Sequence, residues 1–299
     1  FRHPPPRGGT LYERPGISVK LTALHPRLEY VKRREVLLEL IPPLTLLLAE
    51  ARDAQLPVTI DAEEADRLDL TLDVFEALGE EEALRGWDGL GLAVQAYQKR
   101  ALPVIGWLAD LAKRQKRVIP VRLVKGAYWD SEIKRAQELG LSDYPVFTRK
   151  MGTDTSYLAC ARALLAERDS FFPQFATHNA LTVASLIERA GGNHDGFEFQ
   201  RLHGMGDALY HDLRKAFPDL PCRTYAPVGG HRDLLACLVR RLLENGANSS
   251  FVAASTDDDL PIDALLKRPS TIIGAAEDAH HPSLPKPPAL FGAARRNSH

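Results

Sequence analysis

Between residues 17 and 227, short apolar or β-branched runs alternate with longer amphipathic stretches, and this alternation constrains the fold more than any other feature. The spacing predicts strands at ISVKLTAL (17–24), PVTIDA (57–62), LGLAVQA (90–96), IPVRLVKG (119–126), PQFATHN (173–179), FEFQRLHG (197–204) and RTYAPV (223–228). SSFVAAS (249–255) is a weaker eighth. Helical patterns lie between them, among them REVLLELIPPLTLLLAEA, ADRLDLTLDVFEAL, VIGWLADLAKRQ, TSYLACARALLAER and ALTVASLIERA. Strand-then-helix order, repeated, argues for a parallel sheet with helical crossovers. Seven or eight such units over about 240 residues fit one (β/α)8 barrel better than an open sheet. Residues 1–16 and 256–299 are rich in Pro, Gly, Ala and His and read as linkers or tails.

Composition narrows the class. The chain has 299 residues, 44% hydrophobic and 26% charged, as expected of an ordinary globular protein. A formal charge of −1 lacks the basic excess of a nucleic-acid binder. ELIPPLTLLLAEA (39–51) comes nearest to a membrane span, and Pro42 and Pro43 interrupt it beside carboxylates. Cys160, Cys222 and Cys237 have no metal-type spacing, so free thiols and a reducing compartment are expected. A chain that starts at Phe1 reads as a fragment or a processed protein, and FRHPPPRGG has no apolar core for a signal peptide. GLGLAV (89–94) and GMGDAL (204–209) imitate a dinucleotide fingerprint, but the first lies within a strand and the second lacks its third glycine. Neither is expected to sit in a strand–turn–helix unit, so a Rossmann domain is not predicted.

Catalytic groups of such barrels project from the C-terminal ends of strands. Here those ends are polar: Lys20, Asp61, Gln95, Arg122 and Lys125, Thr177, His178 and Asn179, Gln200 and His203, then Tyr225. Each alone is more commonly an ion pair or a satisfied structural group. Repetition over seven strands argues for a ligand, and the mix of cations, amides and one carboxylate suits an anion carrying a polar ring. No metal site is expected, because His178, His203 and Asp61 come from separate strands among cations. A desolvated Lys20 or Lys125 could instead form a Schiff base. Within VRLVKGAYWD (121–130) the strand alternation gives way at Gly126 to two aromatics and an acid that could start a helix.

HRDLLACLVRRLLENGANSSF (231–251), read as a helix, carries one narrow stripe of Asp233, Cys237, Arg240, Arg241 and Glu244 in a wide apolar arc. The plain reading is a solvated face with Glu244 pairing Arg240. The alternative is a buried helix whose guanidiniums meet a carboxylate and a phosphate.

VRLVKGAYWDSEIKRAQ, ISVKLTALHP, TIDAEE, FATHNA, FEFQRLHGMG and YAPVGGHRDLLACLVRRLLENGANSSFV together resemble the proline dehydrogenase domain of the bacterial bifunctional proline utilization A family, from about Ile17 to Phe251. The tail HHPSLPKPPALFGAARRNS resembles the segment leading towards that family's aldehyde dehydrogenase domain. The resemblance implies a distorted (β/α)8 TIM-type barrel over 17–255, noncovalent FAD, and oxidation of L-proline to Δ1-pyrroline-5-carboxylate with electrons passed to quinone. It implies that Lys20, Arg240 and Arg241 bind the proline carboxylate, that Asp61 supports Lys20, and that Tyr128, Leu202 and Tyr225 shape the ring pocket. Arg122 is implied beside the flavin N5, with Gln95 and Val124 near the isoalloxazine. Lys125, Gly126, Ala127, Trp129, Thr148, Thr177, His178, Asn179, Gln200, Arg241 and Glu244 are implied as further FAD contacts. It also makes 223–228 the eighth strand and ISVKLTAL the second, so the first is missing or truncated, because residues 1–16 hold no good strand. A cytoplasmic bacterial protein, peripheral on the membrane in its full-length form, is the implied setting. The rivals are a Schiff-base barrel such as an aldolase and a non-catalytic barrel used as an interaction module. A visible spectrum separates all three.

Overall fold

The computed structural model describes residues 9–230, 232, 234–235, 239, 266–275 and 279–292. Its centre is one parallel sheet of seven strands in chain order: β1 (Ile17–Val19), β2 (Val58–Ile60), β3 (Leu90–Gln95), β4 (Ile119–Val124), β5 (Phe171–Ala176), β6 (Glu198–Leu202) and β7 (Cys222–Tyr225). Each strand pairs with its sequence neighbours, and helices make the crossovers, as parallel pairing requires. Those helices are α1 (Leu21–Leu24), α2 (Arg33–Asp53), α3 (Leu68–Glu80), α4 (Ala101–Gln115), α5 (Trp129–Glu138), α6 (Lys150–Ala166), α7 (Ala180–Arg189) and α8 (Asp207–Ala216). A short α9 (Pro269–Ile273) lies in the tail. The sheet is the curled half of a distorted TIM-type barrel. Among the described residues β1 and β7 do not pair with one another, and residues 11–13 form a 3-10 turn, not an eighth strand.

Two sets of side chains hold the barrel. The outer set is apolar: α2 buries Val36, Leu40, Leu44, Leu48 and Ala51 along one helical stripe, and α3 buries Leu70, Val74, Phe75 and Leu78. They pack with strand residues such as Val58, Ile60, Leu92, Val121 and Leu123 in one continuous core. Pro42 and Pro43 lie inside α2 on its exposed side, so the helix runs through them. The inner set is polar, because Ser18, Arg122, Gln174, Glu198, Gln200 and Arg223 take the opposite parity on their strands. Gly91 is required by close approach: a Cβ there would stand 2.7 Å from the Pro120 carbonyl oxygen.

The structure corrects the expected boundaries. ISVKLTAL is a strand only to Val19, and Leu21–Leu24 is helical, with Glu63 accepting from the Thr22 amide (3.1 Å) and hydroxyl at its start. FEFQRLHG stops at Leu202, freeing Gly204 and Gly206, with φ of 78° and 66°, to turn the chain into α8. GMGDAL therefore does sit in a strand–turn–helix unit, against the sequence reading. SSFVAAS lies outside the described residues. At the barrel floor, Tyr12 stacks on Phe172 with centroids 3.9 Å apart, and Arg223 donates to the Arg14 carbonyl (2.7 Å) and to that of Tyr12. Residues 279–292 pack on the barrel flank, where Tyr144 donates to the Pro285 carbonyl at 2.8 Å.

Candidate functional site

β4 shows how the site is assembled. Val121 and Leu123 are fully buried against the helices, while Arg122 and Val124, of opposite parity, keep some exposure on the inner face. Arg122 uses its fork in three directions. Nη1 donates to Asp61 Oδ1, Nη2 to Ser18 Oγ and Nε to Gln200 Oε1, each at 2.8 Å. Its guanidinium carbon stands 4.9 Å from the Tyr225 ring centroid. Tyr225 donates to the other Asp61 oxygen at 3.3 Å, and burial, then the field of Asp61, raises the pKa of its hydroxyl.

Lys20, just past β1, donates from Nζ to Tyr128 Oη at 3.1 Å. Burial is the largest influence on it and disfavours the ammonium. The Tyr128 hydrogen bond and the fields of Tyr128, Asp61 and Glu63 outweigh burial, so its pKa is raised. Asp61 thus reaches Lys20 through space, while its hydrogen bonds go to Arg122 and Tyr225. A held ammonium suits anion binding and not a Schiff-base nucleophile, which must be a neutral amine.

After β4 the chain turns at Gly126, where φ is +136° and a Cβ would stand 2.4 Å from the Tyr97 ring. Only glycine satisfies both conditions. Tyr97 clamps this turn, its amide donating to the Lys125 carbonyl (2.7 Å) and its carbonyl accepting from the Phe147 amide (2.8 Å). The Trp129 indole in turn donates to the Phe147 carbonyl at 2.9 Å. Ala127 and Trp129 remain exposed. Lys125 pairs with Asp154. Thr148 is buried, and its Oγ1 accepts from the His281 amide at 2.9 Å.

Past β5, Thr177 is buried and Asn179 caps α7 by accepting from the Thr182 amide at 2.9 Å. His178 Nε2 accepts from the Leu202 amide at 3.0 Å, an acceptor role that leaves a neutral ring's proton on Nδ1. Gln200 donates to Glu198 at 2.7 Å, and Gln95 to the Glu63 carbonyl at 2.8 Å.

The strand-end residues singled out in the sequence therefore gather at one end of the sheet. His203 is exposed and enters only through its backbone, its amide bonding the Tyr225 carbonyl at 2.8 Å. Arg240, Arg241 and Glu244 lie outside the described residues. Ser18, Glu63, Asp154 and Glu198 were missed. Ser18 and Glu198 share the inward parity of residues that were noticed, and that parity was the available signal. Among the described residues no group of three His, Cys, Asp or Glu side chains converges as a metal site.

A family model described as proline dehydrogenase matches residues 2–254. The chain is 52% identical over 97% of its length to the bifunctional protein PutA of Escherichia coli (strain K12), covering 23% of that relative. It is 28% identical over 70% of its length to proline dehydrogenase 1 of Bacillus subtilis (strain 168), covering 61% of it. Among solved structures, a variant of Bradyrhizobium japonicum proline utilization A matches with a TM-score of 0.93 at 60% identity, over 97% of this chain and 30% of that one. The Bdellovibrio bacteriovorus PutA inactivated by N-propargylglycine matches with a TM-score of 0.80 at 33% identity, over 86% of this chain and 27% of the other. The chain thus spans about a quarter of the length of the PutA relatives it matches.

Proposed function

The chain belongs to the proline dehydrogenase family, and we propose that it oxidises L-proline to Δ1-pyrroline-5-carboxylate with noncovalently bound FAD. One observation carries the cofactor reading. Gln95, the Arg122–Trp129 segment, Thr177–Asn179 and Gln200–Leu202 end four strands that are hydrogen-bonded in succession, so they form one continuous arc. The chemistry of that arc fits FAD. Amides and a guanidinium suit the carbonyls and nitrogens of the isoalloxazine. Lys125, the Gly126 turn and Thr148 suit a diphosphate, and exposed Trp129 offers an aromatic face to an adenine.

FAD held there would supply a hydride acceptor, from which the electrons would go on to a quinone. The protein's part is to bind and orient. Lys20, held as an ammonium by Tyr128, would take the substrate carboxylate with Arg240 and Arg241. Tyr128, Leu202 and Tyr225 would enclose the ring. Proline's ammonium would first give one proton to solvent, because only the neutral amine can push out a hydride. Hydride would then leave the ring CH2 beside nitrogen, not the carbon bearing the carboxylate, giving a protonated C=N bond whose N–H proton passes to water, so no protein base is needed. In a longer protein of the PutA kind, a separate aldehyde dehydrogenase domain would consume the product.

The test is the visible spectrum of the purified protein. A flavin absorbance bleached by L-proline, with free FAD released on denaturation, is the expected result. Colourless protein that cannot be reconstituted with FAD sinks the proposal. Flavin that stays with the denatured chain sinks only its noncovalent part.

A further inference from the structure

Glu198 is 2% exposed and lies at the start of β6, on the inner face of the sheet. Nothing in the proposed reaction uses it, yet it takes hydrogen bonds from three side chains. Its Oε1 accepts from the Gln174 amide nitrogen (2.9 Å), the Gln200 amide nitrogen (2.7 Å) and Arg223 Nε (2.8 Å). Oε2 stands 3.1 Å from the same Arg223 nitrogen. The placement follows from strand geometry. Gln174 is opposite Glu198 across the β5–β6 pair, Gln200 is two residues along the same strand, and Arg223 is opposite Gln200 across the β6–β7 pair. All four side chains share one face. Arg223 is fixed in turn by the Arg14 carbonyl at 2.7 Å and by that of Tyr12.

Three donors meet Oε1 and Oε2 also faces Arg223, so no N–H on this side chain would find a partner here; a side chain that only accepts, a carboxylate, suits the place. The consequence falls on Gln200. A carboxamide has a donor end and an acceptor end, and rotation about its last bond exchanges them. With its NH2 held by Glu198, the Gln200 oxygen must face the other way, where it meets Arg122 Nε at 2.8 Å. The opposite rotamer would set an NH2 against a guanidinium N–H, donor against donor. Loss of that Nε bond would free Arg122 to swing away from Asp61 and Ser18.

We propose that Glu198 is a positioning residue which acts through Gln200: it fixes the polarity of the Gln200 amide and thereby holds the Arg122 fork on Asp61 and Ser18. The catalytic consequence rests on the reading of Arg122 as a cofactor-facing residue, but the positioning itself does not. Relayed through these side chains, five of the seven strands and the residue that follows β2 contribute to one hydrogen-bonded system: Ser18, Asp61, Arg122, Gln174, Glu198 with Gln200, and Arg223.

The experiment compares three variants in the 299-residue chain. Glu198→Gln leaves one neutral acceptor oxygen in place of a carboxylate and adds an NH2, which must face Arg223 Nε or compete for the Gln200 oxygen. Glu198→Gln with Gln200→Glu moves the carboxylate two residues along, so that it accepts directly from Arg122 while net charge is kept. Gln174→Met deletes one donor and leaves Gln200 oriented. The first readout needs no cofactor: hydrogen exchange of the Arg122 Nε–H in arginine-labelled protein, its resonance identified by its disappearance in Arg122→Lys. Exchange should speed up about five- to tenfold in Glu198→Gln, the size of one net hydrogen bond. It should return towards wild type in the double variant and stay unchanged in Gln174→Met. The second readout is steady-state proline oxidation with a dye acceptor, in which Glu198→Gln should lower kcat with KM for proline unchanged.

A role for Glu198 limited to neutralising Arg223 makes the opposite forecast. Arg122 Nε–H exchange would then be the same in Glu198→Gln as in wild type, and only stability would recover in the double variant, whose carboxylate at position 200 lies opposite Arg223 across the β6–β7 pair. That result overturns the proposal. If Glu198→Gln does not fold, Glu198→Asp keeps the charge and withdraws it by one methylene from Gln200, and unaltered Arg122 exchange there overturns it equally. A wild-type chain that binds no flavin and oxidises no proline, yet shows the exchange pattern, overturns the proposed function and leaves the positioning intact.

Discussion

Arg122 Nη1 lies 2.8 Å from Asp61 Oδ1, joining β4 to the residue that follows β2, and the two side chains are only 11% and 15% exposed. A pair so enclosed adds little net stability by existing, because both ions have lost water. Its loss is another matter, since one charge is then stranded. Asp61→Ala should therefore destabilise the fold by about 3 kcal/mol. Asp61→Asn keeps an acceptor for Arg122 and should be milder. Urea titrations that give the two variants equal midpoints would count against the pair as the main interaction of Asp61.

Gly126→Ala should fold poorly around its turn. The backbone there has φ of +136°, and the new methyl would collide with the Tyr97 ring. Strain of this kind is worth about 1–3 kcal/mol. Because Lys125 and Trp129 flank the turn, FAD affinity should drop as well. Fluorescence titration of the apoprotein with FAD measures this, and wild-type affinity in the variant would separate the turn from the cofactor site.

Lys20 carries a pH signature. Its folded pKa lies above its unfolded value, so its charge contributes stability that is complete below the unfolded pKa and fades as pH rises through the folded one. The unfolded value is about 10.4. Lys20→Met should thus be less stable than wild type at pH about 8, with the gap narrowing once the pH exceeds about 10.4. A gap that widens instead would mean that the lysine is held neutral.

The substrate clamp can be tested at two positions outside the described residues. Arg240→Met and Arg241→Met should each weaken carboxylate-bearing competitive inhibitors by about 10- to 150-fold, the worth of one charge-assisted hydrogen bond. The two losses should not add, because both arginines would meet one ligand group. Arginine-to-lysine should recover only part of the loss. Flavin difference spectra give the dissociation constants, and unaltered affinity in both would return this segment to a surface stripe with an internal ion pair.

The sequence by itself determined the order of strands and helices, because period-two and period-3.6 hydrophobic patterns are local properties that each segment carries alone. It also placed Asp61, Arg122, Gln200 and Tyr225 at strand ends. Local patterns failed at short segments. Leu21–Leu24 is apolar enough for a strand or a helix, and Glu63, 41 residues away, receives the Thr22 amide and hydroxyl that open the helix. Tertiary structure alone decided the partners. Asp61 bonds Arg122 and Tyr225 rather than Lys20, Lys20 takes Tyr128, and Lys125 takes Asp154. Glu198, two residues before Gln200 on the same strand, accepts from the Gln200 amide. These choices depend on strand register and on how far the sheet curls. Those quantities bring together residues separated by 61 positions (Asp61 and Arg122) or 78 (Arg122 and Gln200), and no window of sequence contains them.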